Sequence, residues 1–172
     1  MKKTFIFCAV LVAAFSTTVF GQWTDSGKLN AWTAGSISRI GKEGSAPASL
    51  TAVRVAKNKG FDRVVFEFTG DLPNYKIELT GGPIVATGED EVKISGQYFA
   101  EINFQPLLFP EDENYKYEKI RKAGLNLPVV SEVQEIEWFE GYRPFAIGLK
   151  AKKLYRVQQL TNPTRLVVDF KQ

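Results

Sequence analysis

Two segments far apart in the chain read almost alike: Arg63-Val64-Val65-Phe66-Glu67-Phe68 and Arg165-Leu166-Val167-Val168-Asp169-Phe170. Each runs Arg, aliphatic, Val, apolar, acid, Phe. Successive side chains of a strand point to opposite faces, so each segment sends Phe and aliphatic residues one way and Arg and acid the other. Arg63 with Glu67, and Arg165 with Asp169, then share the face opposite the Phe residues. Such strands must bury their apolar face against other strands, which points to an all-β domain.

The rest of the folded region supplies the partners. Leu50 to Ala56 reads as a strand, Lys57-Asn58-Lys59-Gly60 as a hairpin turn, and Phe61 to Thr69 as the returning strand. Gly70 to Asn74 is a turn before a strand from Tyr75 to Thr80. Ile84 to Ala86, Val92 to Ile94 and Gln97 to Phe104 read as further short strands. Val129 to Phe139 is strand-like, with Ile136 and Trp138 facing one way and Glu135 and Glu137 the other. Pro144 to Lys150, Leu154 to Leu160 and Arg165 to Lys171 complete the set, with Thr161-Asn162-Pro163 as the last turn. About 8–9 short strands with frequent turn signals predict a β-sandwich or partly closed barrel. Phe109 to Pro128 is one long loop with a short helix at most.

The N-terminus reads as a targeting segment. Lys2-Lys3 precede an apolar run from Phe5 to Phe15, and Val19 and Gly21 suit a cut before Gln22. The run is short for a membrane span, which sets an uncleaved anchor behind an exported chain that is soluble after cleavage. The expected division is a signal peptide over 1–21, a flexible arm over 22–49 and a β domain over 50–172. Trp23 and Trp32 are unusual in a tether. Burying a large aromatic is worth ~2–3 kcal/mol, which favours an arm packed on the domain over one that docks a partner.

Composition removes most catalytic chemistry. The chain has no histidine, and its one cysteine, Cys8, lies in the targeting segment. Thiol nucleophiles, disulfides, Cys-ligated metals and the usual neutral-pH base are therefore absent from the mature chain. The formal charge of +3 falls to +1 when Lys2 and Lys3 are removed, which leaves no global field for nucleic acid or an anionic membrane. Of 172 residues, 151 follow Gly21, enough for one domain with a full core.

Leu50 to Val55, Gly60-Phe61-Asp62-Arg63-Val64-Val65-Phe66-Glu67-Phe68 and Pro73-Asn74-Tyr75 together resemble the opening of the AMIN-like domain family. Phe139-Glu140-Gly141, Ala146 to Leu149, Tyr155-Arg156-Val157 and Leu160 to Asp169 are similar to its closing strands. The resemblance implies a β-sandwich in an exported envelope protein, periplasmic or extracellular. It implies a non-catalytic module that binds peptidoglycan, as the related AMIN domains of cell-wall amidases and secretins are thought to do. No amidase or secretin sequence follows before Gln172, so no catalytic cargo is expected in this chain. The rival is an envelope protein-interaction module that uses a sheet edge or the Trp-bearing arm.

Carboxylates are the remaining candidate catalysts. Glu135 and Glu137 would stand roughly 6.5–7 Å apart along a strand, a glycosidase-like spacing. A solvated strand face gives the same pattern, and it is preferred. Glu89-Asp90-Glu91 and Glu111-Asp112-Glu113 lack the alternating ligand pattern of a calcium loop and read as solvated charge. No catalytic residue, metal or cofactor is expected.

The candidate ligand contacts are Trp138, Tyr142, Arg143, Arg63 and Arg165. Trp138 to Phe145 crowds aromatics and an Arg into one turn, where Tyr142 and Arg143 at the tip suit a contact surface better than a core. Arg63 and Arg165 offer guanidiniums on the polar faces of their strands, suited to bidentate carboxylate binding. Cross-strand ion pairing is the plainer expectation for these faces.

Overall fold

The computed structural model describes residues 24–41, 46, 48–87, 90–108 and 118–172. Among them are ten strands and no helix: β1 (Ile37–Arg39), β2 (Ser49–Asn58), β3 (Phe61–Thr69), β4 (Asn74–Thr80), β5 (Tyr98–Gln105), β6 (Arg121–Lys122), β7 (Val130–Glu135), β8 (Arg143–Leu149), β9 (Tyr155–Leu160) and β10 (Thr164–Lys171). They form a six-stranded sheet in the order β1-β4-β5-β8-β7-β6 and a four-stranded sheet in the order β2-β3-β10-β9. Every strand pair is antiparallel, and the sheets do not close into a barrel. The fold is the expected β-sandwich. The targeting segment, Trp23, residues 42–45 and 47 of the arm, Glu89 and the acidic run after Phe109 lie outside the described residues.

The two near-repeats become neighbours. β3 and β10 pair with Val64 opposite Val168 and Phe66 opposite Leu166. Burial along β3 alternates strictly, with Asp62, Val64, Phe66 and Phe68 inside. Phe66, Phe68, Val168 and Phe170 share one core, as the alternation predicts. Phe66 carries the contact between sheets: its ring meets Phe104 and Phe145 edge-on, each at 5.1 Å between centroids. Edge-to-face geometry suits the ring quadrupoles and adds to the gain from burial.

Asp62 is the polar member of that inner row. Its Oδ2 accepts from the N–H groups of Val129 (2.6 Å) and Val130 (2.9 Å), and its Oδ1 accepts from Gln172 Nε2 (3.1 Å). The carboxylate is fully buried yet well supplied with donors, as a buried charge must be. It ties the start of β3 to the chain entering β7.

Strand expectations needed correction in four places. Ile84 to Ala86 and Val92 to Ile94 form no strands and share a single bridge, Val85 with Glu91. Their apolar side chains instead cover the outer side of β8: Ile84, Ile136 and Ala146 form a second small core, packed by Ala86, Val92, Ile94 and Phe99. The segment lies so close that a Cβ on Gly148 would stand 1.9 Å from the Ser95 carbonyl oxygen. That covering explains why β8 is buried along its whole length. The strand expected from Val129 to Phe139 stops at Glu135. The long loop contributes β6, and residues 24–41 of the arm contribute β1, which pairs with β4. Thr33 also bridges Tyr155, so this part of the arm packs on the sandwich.

Replacing Phe66 by Ala is expected to cost about 3–5 kcal/mol, since it leaves a cavity between the sheets. Denaturant titration measures it; a loss under about 1 kcal/mol would contradict the central place given to this ring.

Candidate functional site

The outward side of the four-stranded sheet is built by the same alternation that makes the core. Arg63 stands directly opposite Asp169, and Asp169 opposite Arg156, so the three form one row across β3, β10 and β9. Arg63 donates Nε to Asp169 Oδ1 (2.7 Å) and Nη2 to Oδ2 (3.0 Å). Arg156 Nε donates to the same Oδ2 at 2.9 Å. The Asp169 side chain is fully buried beneath guanidiniums that keep 30% and 26% of their exposure. The hydrogen bond to Asp169 holds the Arg63 guanidinium above its usual value, with burial opposing.

Aromatic rings frame this row. Phe61 lies 5.1 Å from the guanidinium carbon of both Arg63 and Arg156. Trp32 stacks on Arg156 at 4.7 Å, with the Lys171 ammonium 6.0 Å from its ring. The arm delivers Trp32 through backbone bonds: Asn30 N–H to the Val157 carbonyl (2.9 Å), and a reciprocal pair between Thr33 and Tyr155 (2.8 Å each). The Tyr155 hydroxyl adds a bond to the Gly35 carbonyl at 2.7 Å. Further along the face, Arg54 pairs with Glu67. Arg165, opposite Glu67 in register, donates Nε to the Pro163 carbonyl at 3.2 Å. Arg63 and Arg165 thus share one face. Its ion pairs run between strands and not along them, the plainer of the two expectations.

The turn after Trp138 is a different environment. Phe139 and Tyr142 bridge each other around Glu140 (φ 46°) and Gly141 (φ 78°), and positive φ at both central residues marks a type I′ turn. Arg143 is not exposed at its tip, contrary to expectation. Its side chain is 3% exposed and points into the end of the core, donating Nε and Nη2 to the two oxygens of Glu135 at 2.9 and 3.0 Å. Trp138 covers the guanidinium at 4.0 Å. Phe139 is 57% exposed. Tyr142 is half-buried and donates to Asn103 Oδ1 at 2.7 Å. Burial, with the charges of Glu101, Glu137 and Glu78, pushes its hydroxyl up to about 12. An anionic ligand would meet repulsion there.

Nor do Glu135 and Glu137 share a solvated strand face. Glu135 is buried against Arg143 and also accepts the Ile120 N–H at 3.0 Å, while Glu137, beyond the end of β7, bonds Thr87. The local break in alternation after Glu135 separates them. A further buried carboxylate, Glu132, accepts from Ser95 N–H (3.0 Å) and Arg121 Nε (2.5 Å). Burial alone would push it up; these donors outweigh burial and hold it below its usual value. Among the described residues no three acidic side chains gather as a metal site.

Two shallow cavities are also present. One of about 280 Å³ lies at a sandwich end, between Arg39, Leu72, Tyr75 and Gln159. Arg39 is already committed to the Ser26, Gly27 and Ser38 carbonyls, and the Tyr75 hydroxyl accepts from Gln159 at 2.9 Å. The other, of about 390 Å³, lies beside Arg121 over the second small core. Neither gathers groups arranged for catalysis. The candidate site is the cationic, aromatic-framed sheet face.

A family comparison agrees with the architecture: the AMIN-like domain matches residues 48–172, and the chain belongs to that family. The family comprises envelope-associated modules of exported proteins that bind and do not catalyse. Among the described residues no helix is long and apolar enough to cross a membrane. Comparison with curated proteins and with solved structures gives no match.

Replacing Arg143 by Ala is expected to destabilise by about 3–5 kcal/mol, because it removes the cation of a buried, two-point ion pair with Glu135. Thermal or denaturant melting checks it; a cost within about 0.5 kcal/mol would restore Arg143 to the surface.

Proposed function

We propose that the protein is an exported, non-catalytic envelope module that binds peptidoglycan through the outer face of its four-stranded sheet. In this reading residues 1–21 are a signal peptide removed on export, 22–49 an arm and 50–172 the binding domain, soluble in the periplasm or outside the cell. Family membership supports the envelope setting. The single observation that carries the choice of surface is the company of Arg63, Arg156, Arg165 and Lys171 with Trp32 and Phe61 on one accessible face. Peptidoglycan offers peptide carboxylates for guanidiniums, which the neighbouring rings hold in place. Arg63 and Arg165 are its contact residues among those expected from sequence. Trp138, Tyr142 and Arg143 brace the opposite sheet's end, where the carboxylates near Tyr142 suit no anion.

A second reading has its own observation. β2, ten residues long, is an edge strand of the four-stranded sheet, and an edge can add a strand from a protein partner. Trp32 contributes less to that reading than expected, because its ring is engaged on Arg156.

Sedimentation with purified sacculi separates the two. The parent protein is expected to be retained and to be released after muramidase digestion. Arg165→Ala should weaken retention roughly tenfold, a loss of ~1.4 kcal/mol, while the melting temperature barely moves. No retention of the parent, or equal retention of the variant, would overturn this use of the face.

A further inference from the structure

The donors on the cationic face are more selective than peptidoglycan binding alone requires. Resting on that function, we propose that Trp32, Phe61, Arg63, Arg156 and Lys171 form a carboxylate site that takes the free acid groups of the peptide stem and not the glycan. The case begins with which N–H groups are spent. A guanidinium has five donors. Arg63 uses Nε and Nη2 on Asp169, and Arg156 uses only Nε. Among the described residues nothing accepts from Nη1 of Arg63, from either terminal nitrogen of Arg156 or from the Lys171 ammonium.

Asp169 has both oxygens engaged and is fully buried, so it holds both guanidiniums in place without presenting an acceptor to a ligand. One carboxylate shared by two guanidiniums leaves the row positive, and Lys171 adds to it. The site therefore offers fixed donors and positive charge. Sugar hydroxyls donate as well as accept, and would leave their own protons without partners here. A carboxylate only accepts, and its two oxygens match the fork of a terminal guanidinium. The rings point the same way. Trp32 has a face committed to Arg156 and Phe61 is bordered by both guanidiniums, so they serve as walls that orient cations more than as open platforms for sugar. Held in advance, such donors lose little freedom on binding.

Calorimetric titration of the intact exported chain tests this with three probes: a stem peptide with free carboxylates, the same peptide fully amidated, and glycan strands stripped of peptide. The free-acid peptide is expected to bind, the amide at least tenfold more weakly, and the stripped glycan weakest. Lys171→Gln, at an exposed position, and Trp32→Ala should each weaken the acid peptide severalfold, with melting curves reporting that both stay folded. Equal binding of acid and amide, or stripped glycan that binds as well as the acid peptide, overturns the carboxylate site and leaves peptidoglycan binding standing. Failure of all three probes, together with failure to sediment with sacculi, overturns both.

Discussion

The antiparallel pairing of β3 with β10 sets both faces of the protein at once. With Val64 on Val168 and Phe66 on Leu166, the inner row reaches the rings of the opposite sheet. The same register puts Arg63 on Asp169, and β9 then brings Arg156 to the other side of that carboxylate. A slip of one residue would send Phe66 outward and bury Arg63, at a cost no surface contact offsets. The charged row is therefore placed by the apolar one. Its geometry is a consequence of core packing, and its rigidity comes from β10, a central strand with neighbours on both sides.

Two Arg–carboxylate pairs show why burial and unspent donors, more than residue type, separate support from site. At the end of the core, Arg143 and Glu135 are 3% and 0% exposed, and Trp138 lies over the guanidinium. Both donors that Arg143 gives to Glu135 are spent inside the protein, so the pair serves cohesion. On the sheet face the carboxylate is equally buried, but Arg63 and Arg156 keep about a quarter to a third of their side-chain surface and, among the described residues, several free N–H groups. That pair is anchored from below and open from above. Anchoring below costs little in binding, because the order is already provided by the fold.

Period-two alternation made the fold legible, and it located β3, β4 and β10 to within a residue or so. It also set Arg63 and Arg165 opposite the Phe residues of their own strands, and the pairing of β3 with β10 brings them to one face. What stayed hidden depends on contacts that leave no local mark. Arg63 meets Asp169 from 106 positions away, and Trp32 reaches Arg156 only because the arm pairs with β9. Asp62 looked like one more strand residue, and nothing nearby announced that the N–H groups of Val129 and Val130 would converge on it. Arg143 misled for the opposite reason. A Gly-containing turn rich in aromatics reads as surface, yet the turn is tight and Arg143 already belongs to β8, facing inward. Ile84 to Ala86 and Val92 to Ile94 carried strand-like composition, but Ile84, Ala86, Val92 and Ile94 cover β8 instead of entering a ladder.

The most direct test of the central claim is an NMR titration of the isotope-labelled protein with solubilised peptidoglycan fragments, following the Trp32 indole N–H and the Nε–H groups of Arg63 and Arg156. The expected result is a set of shifts centred on those three groups and on Lys171, with Tyr142 and Asn103 unmoved. Shifts confined to the turn around Tyr142, or to the backbone amides of β2, would contradict the assignment of the four-stranded face as the binding surface.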